Sequence, residues 1–342
     1  MRNRLQKIVG ALFAAGLLLF GDKVPAANTK LLNVSSDTTQ GFFQDYNAAF
    51  SAYWKRKTGD TVAINQSYGD SGDEAQSVID KLDADVVAFN ESKDIDVLHD
   101  SEPLLAESWA TRLPNKSVPY TSTIVFVVRK GNPKNIRNWD DLTRSNVSIV
   151  ATNPKTSSNG RYSYLAAWGY AQKKSGSDEK QVRLFVKKLF TNVPICSPDE
   201  QSAIDSFAYW DTGDVLLTFE SEAALVQEKF PKGQFEVVLP PVSIRVDNTV
   251  TWIDRFTKHH HTGVVAQAYL EHLYSDEGQE LAAQHFFRPE NEAILQRYST
   301  RYKPLQLLTV DEIAGGWQKA QQVHFADGGI FDQIYRPKNL FQ

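Results

Sequence analysis

Short runs of Val, Ile and Leu that do not alternate with polar residues recur along most of this chain, and stretches with helical spacing separate them. The runs are 31–34, 61–64, 85–89, 123–128, 148–151, 193–196, 214–219, 235–239 and 249–253. A strand with one solvated face alternates apolar and polar residues, whereas one covered on both faces, as in parallel sheets, reads as a continuous apolar run. Strand and helix in repetition therefore predict an α/β architecture with helices on both faces. One helix is written out in full: Phe42, Phe43, Tyr46, Ala49, Phe50, Tyr53 and Trp54 form one stripe, Lys55, Arg56 and Lys57 suit its last turn, and Gly59 stops it.

With 342 residues, 42% of them hydrophobic, the chain has material for two cored lobes and is not a disordered one. Its formal charge of −4 lacks the basic excess of a polyanion binder, so no nucleic acid is expected. A single cysteine, Cys196, excludes a disulfide framework and reads as a buried thiol. Residues 1–26 read as a cleavable signal peptide: Arg2, Arg4 and Lys7 precede the apolar run Ile8 to Phe20, and Val24-Pro25-Ala26 offers a cleavage site. The run is too short for a permanent membrane anchor, which predicts an exported protein.

Polar turns fall where strands run into helices. Asp37-Thr38-Thr39, Gly69-Asp70-Ser71-Gly72 and Thr156-Ser157-Ser158-Asn159-Gly160 each precede a helical stripe. Free N–H groups at a helix start can be capped by such residues or can cradle an anion. Three turns of this kind at the carboxyl ends of strands predict a shared ligand crevice.

At these residues the chain resembles the periplasmic sulfate- and thiosulfate-binding proteins of ABC importers. The resemblance spans nearly all of the chain beyond residue 26. It includes Leu31-Leu32-Asn33-Val34-Ser35, Gln66-Ser67, Ala84-Asp85-Val86-Val87, Arg112-Leu113-Pro114-Asn115 and Pro119-Tyr120-Thr121-Ser122-Thr123. Further along stand Val128-Arg129-Lys130-Gly131-Asn132-Pro133-Lys134, Asn153-Pro154-Lys155-Thr156-Ser157, Tyr164-Leu165-Ala166-Ala167-Trp168-Gly169, Gly315-Gly316-Trp317 and His324-Phe325.

The resemblance implies a two-lobed type II periplasmic binding protein fold with hinge crossover strands, the crossings expected near Tyr120 to Val125 and Arg245 to Trp252. Residues 27–119 and 248–342 would form the first lobe and 120–247 the second, with the C-terminal segment returning to the first. It implies a monomeric receptor, not an enzyme, that takes no cofactor or metal and delivers sulfate or thiosulfate to a membrane permease. The implied ligand donors are the backbone at Asp37, the hydroxyls of Ser71 and Ser157, and the N–H groups of Ser158, Asn159 and Glu200. Phe219 takes the position that sulfate binders fill with Trp, and with Asn159 it resembles the thiosulfate branch; an aromatic edge without a donor suits a softer sulfur atom.

The chain departs from that pattern in charge. Asp70, Asp73, Asp199 and Glu200 stand around the implied site, where the family has a small residue, a Lys and a Gly-rich, Arg-containing turn. Like charges about 4 Å apart repel by roughly 4 kcal/mol at an effective dielectric of 20. Either these acids face solvent and the oxoanion is retained, or the ligand is altered to a neutral or cation-accompanied one. Other constellations are weaker. Gly69-Asp70-Ser71-Gly72 spells a hydrolase nucleophile turn, but Ser71 would need a His base and an orienting acid. His259 to His261 are adjacent and lack metal-ligand spacing, and the acids lack a calcium-loop pattern.

Overall fold

The computed structural model describes residues 28–231 and 233–335; the expected signal peptide lies outside the described residues. The strands are β1 (Asn28–Ser36), β2 (Thr61–Gly69), β3 (Val86–Phe89), β4 (Tyr120–Arg129), β5 (Ile149–Thr152), β6 (Cys196–Ser197), β7 (Val215–Phe219), β8 (Phe235–Val238), β9 (Val242–Trp252), β10 (Arg288–Pro289) and β11 (Gln306–Leu308). The expected stripe forms the helix Gln40–Thr58, which ends on Gly59 at φ 85°, a left-handed position that glycine takes without steric cost.

The sheet runs β2-β1-β3-β9-β4-β7-β5-β6, and two of its strands serve both lobes. The β9 strand pairs with β3 through Thr249 to Trp252, with β4 through Arg245 to Asn248, and with β11 through Val242 to Ile244. The β4 strand pairs with β9 and β10 at its start and with β7 from Ile124 onward. These are the two crossing strands. Each lobe keeps parallel pairs, β1 with β2 and β3, and β5 with β6 and β7, whereas the contacts of β3 and β4 with β9, and of β4 with β7, are antiparallel. The sheet is thus mixed rather than wholly parallel, because the two strands that carry the chain between lobes enter it in the reverse sense.

Both faces are covered, as the unbroken apolar runs require. In the first lobe Phe42, Tyr46, Phe50, Tyr120 and Tyr269 pack on one face and Val87, Ile95, Leu98 and Trp109 on the other. In the second, Phe126, Trp139, Tyr164, Leu165 and Phe190 cover one face and Val125, Val127, Phe207 and Phe235 the other. Burying each such side chain contributes roughly 1.5–3 kcal/mol.

The end of the chain departs from expectation. Ile253, Tyr269 and Phe287 do belong to first-lobe cores, but Val310, Ile313, Phe325, Ile330 and Phe331 pack in the second lobe's core. The reason lies in the helix Ser158–Ser175, which is buried from Ser158 through Ala171 and so needs apolar cover on the side away from the sheet. The segment 310–331 supplies that cover, and β11 extends the pairing beside Val242 to Ile244.

Candidate functional site

Strands from both lobes end at one crevice, and each hands over to a helix there. From the first lobe, β1 leads into Asp37–Thr39 and β2 into Asp70, which caps the helix Ser71–Ile79 by accepting from Gly72 N at 3.1 Å. From the second, β5 leads through Asn153 to the helix Ser158–Ser175, β6 to the helix Glu200–Ala208, and β7 to the helix Glu220–Lys229. Helix starts carry partial positive charge and N–H groups without intrahelical partners, so their convergence favours negative groups between them. Gly160 permits the tightest approach: a Cβ there would lie 2.6 Å from the carbonyl carbon of Asn153.

A cavity of about 20 Å³ remains between the lobes, with Asp37, Thr38 and Asp70 on one side and Thr156, Ser157, Ser158, Asn159, Asp199, Glu200 and Phe219 on the other. That is room for about one water-sized centre. A tetrahedral oxoanion therefore fits only if the lobes part or the Asp70 carboxylate moves aside.

Six of the seven expected ligand residues line this cavity; Ser71 does not. The Ser71 hydroxyl is fully buried, donates to Asn90 Oδ1 at 2.5 Å and pairs with Ser36 Oγ at 2.8 Å. It ties three strand ends together behind the crevice instead of pointing into it. Ser157 starts the helix without a side-chain cap, so its hydroxyl is not engaged with the backbone below. Asn159 Oδ1 accepts from Thr152 Oγ1 at 3.0 Å, and its Nδ2 is buried without a partner. Phe219 is buried and meets Tyr162 edge-on, their ring centroids 5.9 Å apart.

The four acids divide. Asp73 and Asp199 are exposed, the latter capping its helix by accepting from Ser202 N at 2.7 Å. Asp70 and Glu200 face inward, so of the two alternatives left open by the sequence the solvent-facing one holds for only two of the four acids. Asp70 Oδ2 accepts from Ser158 N at 2.9 Å across the crevice. Glu200 is buried, accepts from Thr218 Oγ1 through one oxygen, and leaves Oε2 without a partner. Burial, then Glu222 and Asp37, push the Glu200 carboxyl well above the ordinary range. Enclosure and Asp37 likewise push Glu222 up to about 8.

Sequence reasoning missed the polar seam behind the cavity. Arg161 Nε donates to Glu91 Oε1 at 2.7 Å from the opposite lobe, Asn90 Nδ2 donates to Ser158 Oγ at 3.0 Å, and Tyr162 Oη donates to the Asn90 carbonyl at 2.7 Å. Burial acts to raise the Glu91 carboxyl, but Arg161 and Lys93 outweigh it and hold it below the usual range. Nothing in the local spacing of residues 90–91 and 161–162 links them; only the closed lobes do.

Elsewhere, Cys196 is a free, partly buried thiol pushed up to about 11 by burial. His259 and His260 end the helix Asp254–His260, His261 caps it at φ 57°, and His260 Nδ1 contacts Asp85 Oδ1 at 3.0 Å. Among the described residues, no group of three His, Cys, Asp or Glu side chains is placed to hold a metal ion, and no helix is long and apolar enough to cross a membrane.

Comparison with known proteins adds an independent line. The family described as bacterial extracellular solute-binding protein matches residues 31–288. A thiosulfate-binding protein of Pseudomonas aeruginosa is 46% identical over 327 residues, which are 96% of this chain and 98% of the relative. A sulfate-binding protein of Salmonella typhimurium is 45% identical over 93% of this chain and 96% of its own length. Among solved structures, the sulfate-binding protein SubI from Mycobacterium tuberculosis H37Rv superposes with a TM-score of 0.74 at 26% identity, covering 86% of this chain and 98% of that one.

Proposed function

Because the chain belongs to the bacterial extracellular solute-binding protein family, we propose that it captures an inorganic sulfur oxoanion, thiosulfate or sulfate, between its lobes and delivers it to an ABC permease. The observation that carries this is the convergence of helix starts from both lobes on one small cavity lined by Ser157, Ser158 and Asn159. Several neutral donors at helix ends disperse a dianion's charge without the desolvation cost of a buried Lys or Arg. The relatives named for thiosulfate and sulfate favour an anion over a neutral or cation-accompanied ligand.

In this reading the backbone at Asp37 and the N–H groups of Ser158, Asn159 and Glu200 hold the anion, with the Ser157 hydroxyl beside them and Phe219 closing the apolar side. Residues near 120 and 247 form the hinge, and closure hides the ligand from water so that the permease meets only the loaded form. The protein works by capture and not by catalysis: the hydroxyl of Ser71 is engaged with Ser36 and Asn90, neither of which is a base. Export through cleavage after Ala26 places it in the periplasm. Native mass spectrometry of freshly purified protein tests the reading. A mass increment of thiosulfate or sulfate that exchanges with added anion is expected, and an organic ligand that neither anion displaces would contradict it.

A further inference from the structure

Asn159 and Glu200 line the cavity's second-lobe side, and each keeps one buried side-chain atom without a partner, Nδ2 and Oε2. Asn159 supplies a donor that any oxoanion can use. Glu200 is 7% exposed, and its other oxygen already accepts from Thr218 Oγ1, so Oε2 is the atom left for a ligand. An ionised Oε2 could only accept, and neither sulfate nor thiosulfate carries a proton to give it. We propose that Glu200 joins ligand capture as a neutral carboxylic acid whose Oε2 carries the proton and donates to an anion oxygen, so that binding of the dianion is coupled to one proton.

This rests on the oxoanion reading and adds a proton to it. Of the groups that face Glu200, only the Thr218 hydroxyl favours the ionised form; burial and the neighbouring acids oppose it and prevail. Thr218 on β7 donates to Oε1, Glu222 stands on the next helix, Asp37 comes from the first lobe, and Asp199 caps Glu200's own helix. Asp70 closes the far side of the cavity, whose lining holds no Lys or Arg. A charge on Glu200 would be desolvated and surrounded by acids, which disfavours ionisation, whereas the neutral acid adds a donor the anion needs. The proton would be held before the ligand arrives or drawn from solvent as it binds, according to the pH.

Infrared difference spectroscopy at pH 8, with and without thiosulfate, reads this directly in protein labelled with ¹³C-glutamate. A neutral carboxylic acid band that shifts on thiosulfate addition, and that is missing from Glu200→Gln, is expected. The Gln variant keeps a neutral donor that cannot ionise, so its thiosulfate affinity should lose the fall with rising pH that wild type shows once Glu200 ionises. Should that variant not fold, calorimetry of wild type in buffers of unlike ionisation enthalpy serves instead: below the pH at which Glu200 ionises, affinity is flat, and above it affinity falls about tenfold per pH unit with uptake of one proton. Tight thiosulfate binding with Glu200 ionised in the complex would overturn the proton coupling and leave the oxoanion reading intact. Absence of thiosulfate and sulfate binding at pH 6 and pH 8 in both proteins would overturn the two together.

Discussion

Asp70 on the first lobe accepts a hydrogen bond from Ser158 N on the second at 2.9 Å, so a carboxylate of the protein itself occupies one of the helix-start donors that an oxoanion would use. The same carboxylate lies 3.5 Å from Nη2 of Arg161, whose Nε pairs with Glu91 behind it. Asp70 thus both joins the lobes and competes with the ligand. The competition should prevail over the joining, because an anion placed beside an ionised carboxylate suffers a repulsion of several kcal/mol at short range.

Asp70→Gly removes both charge and contact, and Asp70→Asn keeps the shape while removing the charge. Both variants should bind thiosulfate at least tenfold more tightly than wild type, a gain of about 1.4 kcal/mol or more. Parallel calorimetric titrations check this, and unchanged affinity in both variants would mean that Asp70 leaves the donor freely when the ligand arrives.

The two serines should separate into different phenotypes. Ser157→Ala takes a hydroxyl from the cavity lining and should weaken oxoanion binding by about 1–3 kcal/mol, with little change in melting temperature. Ser71→Ala breaks the buried link to Ser36 and Asn90, so it should lower thermal stability, and its effect on affinity should be the smaller of the two. A larger affinity loss in Ser71→Ala would restore that hydroxyl to the ligand shell.

Phe219 offers an aromatic edge and no donor. Thiosulfate should accordingly bind at least as tightly as sulfate. Phe219→Trp should move the ratio toward sulfate by adding an indole N–H, at an overpacking cost of about 1–3 kcal/mol in stability because the site is buried. Competition titrations of the two anions give the ratio directly.

Stability should fall as pH rises from about 6.5 to 8. Burial raises Asp94 to about 7 and Glu222 to about 8, so the folded chain holds protons that the unfolded chain has released, and the stability they supply at low pH is lost through those values. Burial also lowers His324 to about 4, which has the opposite slope but acts mainly below the ordinary histidine value near 6.5, so it offsets the decline only in part and only at the start of this window. Melting temperatures measured across pH 6.5 to 8 should therefore decline, and Glu222→Gln should flatten part of that decline. A rising profile would contradict the assignment.

Legibility in the sequence followed the range of the interactions. All nine apolar runs correspond to β1 through β9, though the run 193–196 overlaps its strand only at Cys196; the signature is plainest in β3, β4, β5 and β7, which are buried on both faces. The helix Gln40–Thr58 was likewise readable from its own local stripe. The two-residue strand β10 has too little sequence to signal, and the C-terminal segment's choice of lobe depends on which distant helix needs cover. In the site, Ser157, Ser158 and Asn159 announced themselves as a polar helix start. The inward turn of Asp70 toward Ser158, and the link between Arg161 and Glu91, are set only when the lobes close, and no spacing along the chain encodes them.

The most direct test of the account is calorimetric titration of the purified protein, and of its Asp70→Gly variant, with sodium thiosulfate and sodium sulfate at pH 6. One site per chain is expected, with thiosulfate bound at least as tightly as sulfate and both anions held more tightly by the variant. No heat of binding from either anion in either protein would contradict the account.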